Sequence, residues 1–159
     1  MPASYGTPNR QPIFTQAPIL QTKTFDPVII TDNFQPGATT PTLVYTGQSA
    51  EGDLIDRITI SATGDLTNVG VSAKLVYVYI KWYNAGSPFW SLYKTLAMPA
   101  ATISHTTPNP ELELTFTGGL VLNLNDEISI GASANYGSAS QYGDYLSVTI
   151  EGGRYTLNP

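Results

Sequence analysis

Seven aromatic residues fall within a stretch of seventeen: Tyr77, Tyr79, Trp82, Tyr83, Phe89, Trp90 and Tyr93. Rings exposed on a sheet stack on sugar faces, and Tyr and Trp are enriched at subunit interfaces. The plainer use is core packing and cross-strand pairing. Strict alternation over residues 71–83 puts Tyr77, Tyr79 and Tyr83 on one face. Trp82 then takes the other face, with Val76, Val78 and Ile80. Tyr77, Tyr79, Trp82, Trp90 and Tyr93 are accordingly the candidates for an oligomer interface or a sugar-stacking surface, with core packing as the competing use.

Other chemistry finds little support. Asp53 with Asp56, Asp126 with Glu127, and Asp144 lie where calcium-binding carboxylates are found, at loop ends. No EF-hand spacing is present, so solvated turn carboxylates are the favoured reading. A carboxylate pair serves glycoside hydrolysis, but nothing separates these acids from ordinary turn residues. His105, the single histidine, sits in the polar stretch SHTTP without a G-x-S-x-G elbow. One histidine cannot build a typical zinc site. The absence of cysteine excludes disulfides, thiolate metal sites and cysteine nucleophiles. Gly118-Gly119 and Gly152-Gly153 read as turn or bulge glycines, because neither pair precedes a helix that would cradle phosphate. The expectation is a protein that is not an enzyme, with no cofactor and no metal.

The elements that carry these residues are strands. Short alternating or β-branched segments occur at 42–47, 54–62, 71–83, 111–117, 120–124, 127–134 and 145–151. Residues 89–98 read as a further strand, with a helix as the alternative. Ile58, Ile60 and Ala62 are expected to face inward, as are Leu112, Leu114 and Phe116. The same holds for Ile128, Ile130, Ala132 and Ala134, and for Leu146, Val148 and Ile150. Gly, Asp, Asn and Ser mark turns at 63–68, 84–88 and 135–144, Gly118-Gly119 reads as another, and 99–110 reads as a long loop. Seven or eight short strands separated by turns about every ten residues predict an all-β fold, an antiparallel β-sandwich or jelly roll of about eight strands.

Residues 1–41 differ from the rest. They hold seven of the twelve prolines, yet Ile13, Phe14, Ile19, Leu20, Phe25, Val28, Ile29 and Ile30 are apolar. A disordered tail is polar and charged; this segment is neither. It reads as an extended N-terminal arm that orders on another surface by strand addition or clamping, with wrapping of its own body or fraying as the competing reading. Tyr5, Ile13, Phe14, Ile19 and Leu20 are its candidate anchors, and residues 42–159 are the β-sandwich domain. Fully stretched, the first 25 residues reach about 80 Å, enough to cross to a neighbouring subunit.

Charged residues make up only 12 % of the chain, so solubility rests on hydroxyls and amides. Arg10 and Lys23 cancel Asp26 and Asp32 within the arm, which leaves the net charge of −5 on the body. Without a basic stripe, nucleic-acid binding through phosphates is not expected. No apolar run approaches the length of a membrane span, and no segment resembles a signal peptide. A membrane is not an expected partner.

The order of segments in the body carries a resemblance. DRITISATGDLTN precedes a long strand, LAMPA precedes a polar loop, LELTFTGGLVLNLNDEISIGAS follows, and the chain closes on LSVTIEGGRY with Gly152, Gly153 and Tyr155. In this the body from about Leu54 to Tyr155 resembles the cement, or head decoration, proteins of tailed bacteriophages. The arm is not covered by the likeness. The resemblance implies a homotrimer on the capsid exterior of a virion, with the major capsid protein as partner and an arm reaching over neighbouring subunits. Similar folds in tail and fibre proteins supply the alternative: a carbohydrate- or receptor-binding module that uses the Tyr77–Tyr93 cluster.

Overall fold

A computed structural model describes residues 17–30, 40–63, 70–71, 73–83, 88–102, 106–133 and 145–155. Every regular element among the described residues is a strand. Eight of them are long: β1 (Ala17–Phe25), β3 (Thr42–Thr46), β4 (Asp53–Thr63), β6 (Lys74–Trp82), β7 (Phe89–Met98), β9 (Glu111–Leu122), β10 (Glu127–Ala132) and β11 (Tyr145–Arg154). Three pairs of residues complete the set: β2 (Val28–Ile29), β5 (Gly70–Val71) and β8 (Ala101–Thr102). The helix alternative for residues 89–98 is excluded, since β7 pairs along its length with β6.

The strands form two sheets. One has the order β1-β11-β4-β9, all antiparallel. The other has the order β2-β10-β6-β7, with β3 sharing the β2 side of β10. Here β3 runs antiparallel beside Glu127–Ile130, and β2 runs parallel beside Gly131 and Ala132. Counting only the long strands from one to eight, the orders are 1-8-3-6 and 2-7-4-5, the double Greek key of a jelly roll. The fold class expected from the sequence is therefore the fold observed.

Aliphatic alternation builds the core. Ile58, Ile60 and Ala62 of β4 meet Leu146, Val148 and Ile150 of β11 in register. Across the gap stand Val76, Val78 and Ile80 of β6 and Ile128, Ile130 and Ala132 of β10. All twelve are at most 1 % exposed and belong to one cluster. At roughly 1.5–3 kcal/mol for each large aliphatic side chain buried, this layer is the main source of stability.

Two departures from the sequence expectation concern β9 and the leader. Residues 111–117 and 120–124 are not two strands joined by a turn; β9 runs unbroken through Gly118 and Gly119. The pair forms a bulge instead. Ile55 opposes Leu120 and Arg57 opposes Thr115, so Asp56 faces four residues of β9. Gly118 and Gly119 have φ of 83° and 79°, which side chains disfavour. A Cβ on Gly119 would also lie 2.2 Å from Leu54 Cδ1.

The division of the chain at residue 42 does not match where the sheets begin. β1 pairs with β11 over nine residues, Ala17 with Arg154 through Phe25 with Leu146. Ile19 and Phe25 are buried in the common core. Gln21 Nε2 donates to the Val44 carbonyl at 3.0 Å, and Lys23 Nζ donates to that of Leu43. These bonds cross from one sheet to the other and close that flank of the sandwich. The reason is physical: an apolar strand that finds a sheet edge satisfies its backbone there without a foreign partner.

Candidate functional site

The outer face of the second sheet carries the aromatic cluster. Its rows follow from register: Tyr77 opposite Gly131, Tyr79 opposite Ser129, Lys81 opposite Glu127. On the far side of β6, Tyr79 faces Leu92 and Lys81 faces Trp90. Tyr77 and Tyr79 lie edge to face with ring centroids 6.3 Å apart, and Tyr79 meets Trp90 in the same way at 6.3 Å. Ile30 joins them, with Val28 and Leu92 packed alongside. Gly131 makes this possible, because a Cβ there would lie 2.6 Å from Ile30 Cγ1. The Ile30 amide donates to the Ala132 carbonyl at 2.9 Å. Just past the edge strand β2, which pairs in the sheet with β10, the Ile30 side chain thus reaches across Gly131 to the tyrosines, and Tyr77 and Tyr79 are buried.

Two hydroxyls pay for that burial. Tyr79 Oη and Ser129 Oγ are fully buried and find no hydrogen-bond partner among the described residues. Burial, and then the neighbouring Tyr77, push the Tyr79 hydroxyl above its ordinary pKa. Beside them the Lys81 ammonium lies 5.0 Å from the Tyr83 ring centroid and 5.2 Å from that of Trp90, and 3.2 Å from Glu127 Oε2. Burial lowers the Lys81 pKa, but hydrogen bonds to Tyr83 and Glu127 outweigh it and the net shift is upward. Tyr93 sits elsewhere: β7 carries an extra residue between Lys94 and Leu92, and Tyr93 is that residue. Its ring packs on Phe116 of the other sheet at 5.5 Å.

Trp82 takes the opposite face of β6, as alternation requires, and packs on the core. It is also the inner wall of a recess at the end of the sandwich. Trp82, Tyr83, Phe89, Asn123 and Asp126 line this space of about 360 Å³. Tyr83 is 40 % and Phe89 52 % exposed.

Asp126 organises the end of the molecule on which the recess lies. Its Oδ1 accepts from the Tyr83 amide at 2.7 Å. Its Oδ2 accepts from the Asn123 amide at 2.9 Å and from Asn123 Nδ2 at 3.2 Å. Gly47 and the turn at Asn123–Asp126 exchange backbone bonds, Gly47 N to Asp126 O and Asn125 N to Gly47 O. Asp53 does the same work elsewhere. It is wholly buried and accepts from Tyr45 Oη at 2.8 Å, the Gln48 amide at 2.8 Å and Arg154 Nε at 2.9 Å. Burial first, and then the bond to Asp53, raise the Tyr45 pKa to about 12. Both aspartates correct the expectation of solvated turn carboxylates: they are buried hubs that tie strands together. No set of three or more acidic or histidine side chains is placed to hold a metal among the described residues. His105 and Asp144 lie outside those residues.

Among the arm anchors, Tyr5, Ile13 and Phe14 lie outside the described residues. Ile19 is buried in the core and is not available to a partner, which corrects its assignment. Leu20 is 73 % exposed. It borders an open groove of about 580 Å³ with Ile19, Asp56, Arg57, Glu113, Thr115, Glu151 and Gly152. Sequence reasoning singled out Trp82, Tyr83 and Phe89 as aromatics but missed Asn123 as their neighbour. The only signal was Asn123 preceding Asp126 in a turn.

Comparison with models of known protein families finds no match. Comparison with curated proteins likewise finds none. Fold and geometry alone define the class: a jelly-roll domain with one covered aromatic face and an aromatic recess at its end.

Proposed function

We propose that this chain is a structural virion protein that binds the outside of a phage capsid as a trimeric cement protein. The observation that carries the reading is the way β1 is rooted. A clamp must transmit force from a bound arm to a rigid body. β1 is hydrogen-bonded to β11 along nine residues and pegged into the core by Ile19 and Phe25. Tension applied at Ala17 therefore loads the whole first sheet rather than a loose tail. The clamping segment is residues 1–16, with Tyr5, Ile13 and Phe14 as anchors, and Leu20 extends the contact surface beside it.

The mechanism is linkage. A protein that binds only the assembled lattice stabilises that lattice over free subunits. The jelly roll suits a spacer, since its two sheets enclose one aliphatic core and the chain has no cysteine for a disulfide, although fold alone does not specify function. The sequence resemblance to head decoration proteins supplies the capsid as partner and the trimer as assembly state.

Removal of residues 1–16 tests the reading. The truncated protein keeps β1, so it should remain folded and trimeric in sedimentation velocity while it no longer co-sediments with capsids of the particle that carries it. Undiminished co-sedimentation overturns the clamp. A monomer at micromolar concentration for the full chain overturns the trimer.

A further inference from the structure

We infer that the recess between Trp82, Tyr83, Phe89 and Asn123 is a saccharide-binding site. The inference does not depend on the capsid reading. Tyr83 and Phe89 remain 40 % and 52 % exposed in a fold that otherwise buries Tyr77 and Tyr79 completely or nearly so. Large exposed rings beside one another mark a binding surface more often than a defect. Trp82 and Phe89 are direct cross-strand partners, so backbone pairing fixes their separation. The site is therefore largely formed before a ligand arrives, which lowers the entropic cost of binding.

The polar lining selects the chemistry. Asp126 engages Asn123 through the amide nitrogen, which leaves the amide oxygen as an acceptor. The carboxylate of Asp126 itself lies behind it, three of its roughly four acceptor positions taken. Among the described residues, the lining thus offers acceptors and negative charge and no cation; the nearby Lys81 ammonium, 5.0 Å from the Tyr83 ring centroid, is paired with Glu127. An anionic ligand is disfavoured, and so is a proline-rich peptide, which presents carbonyl acceptors. A pyranose fits both parts of the lining: its hydroxyls donate to the Asn123 amide oxygen, and its apolar C–H faces stack on the rings. A volume of about 360 Å³ holds one or two such rings and falls at the small end of the usual range for ligand sites.

Titration of the full chain with soluble pentasaccharides tests this, followed by intrinsic tryptophan fluorescence, because Trp82 lines the site. The probes are β-1,4-glucan, β-1,4-N-acetylglucosamine, β-1,4-xylan and α-1,6-glucan pentamers. At least one should bind with Kd of about 0.1–1 mM, the range of a single shallow site. Phe89→Ala should weaken it about tenfold and Asn123→Ala about fivefold. Tyr93→Ala, outside the recess, should leave affinity unchanged, and melting curves identify any variant that has lost its fold. For a poorly folding Phe89→Ala, Phe89→Leu replaces it, with the same loss expected since the ring is removed. No binding by any pentamer at 10 mM, roughly tenfold above the weakest expected Kd, overturns the proposal. Equal affinity in the Phe89 variants also overturns it, as does tighter binding of tetramethylammonium or of a peptide of residues 1–16.

Discussion

The two outer faces of this sandwich are built from different chemistry. On the first sheet, register aligns Thr22 with Thr149 and Thr24 with Ser147, and their hydroxyls meet across the strands at 3.0 and 3.3 Å. Arg57 pairs with Glu151 on the same face and reaches Glu113 at 3.8 Å. On the second sheet, Tyr77, Tyr79 and Trp90 are gathered under Ile30, with two hydroxyls left unpaired. The inner faces are equally aliphatic, so the difference is not one of core formation. One outer face is polar and paired across its strands, while the other is a second, smaller core to which the leader contributes Ile30 and Val28.

Substitutions should separate the two faces sharply. Tyr79→Ala empties the small core and should destabilise the protein by about 3–5 kcal/mol in chemical denaturation. A loss below about 1 kcal/mol would mean that the face is ordinary surface. Asp53→Ala removes the carboxylate that links β3, β4 and β11 and strands Tyr45 and Arg154. It should cost about 3 kcal/mol, a penalty neither outer face imposes through a single polar group. Tyr79→Phe deletes an unpaired hydroxyl and keeps the ring, and should stabilise by about 1 kcal/mol. Destabilisation instead would reveal a hydrogen bond at that position. Thr149→Ala on the first sheet should change stability by no more than about 0.5 kcal/mol.

The Asp53 hub also predicts a pH response distinct from either face. Tyr45 is held neutral in the fold, with its pKa raised from 10.0 to about 12. A raised pKa means that folding favours the protonated phenol. That contribution is complete below pH 10 and is lost as the pH climbs toward about 12. Tyr45→Phe should flatten the melting temperature between those limits, apart from the common alkaline decline of the lysines and other tyrosines.

Much of this was legible in the chain. Period-two alternation in residues 54–62, 127–132 and 145–151 identified the inward residues, because a strand's side chains have no other way to point. The split of Tyr77 and Tyr79 from Trp82 followed from the same rule. The Asp126 and Asp53 hubs were not legible, since a turn carboxylate in sequence looks alike whether solvent or three N–H groups surround it. Leader residues 17–30 read as part of an arm for another surface because their partners are far away in sequence, Thr22 and Thr149 being 127 residues apart.

Local pattern thus determined that the chain is all strand, which side of most strands is apolar, and that a sandwich must enclose them. Those facts depend on nearest neighbours and on the pleat. Tertiary structure alone decided which edge the leader would occupy, which aromatics would be sealed under Ile30, and which would frame a recess beside Asn123. Each of these rests on pairing between distant segments, and a one-dimensional pattern does not encode which distant segment a strand will meet.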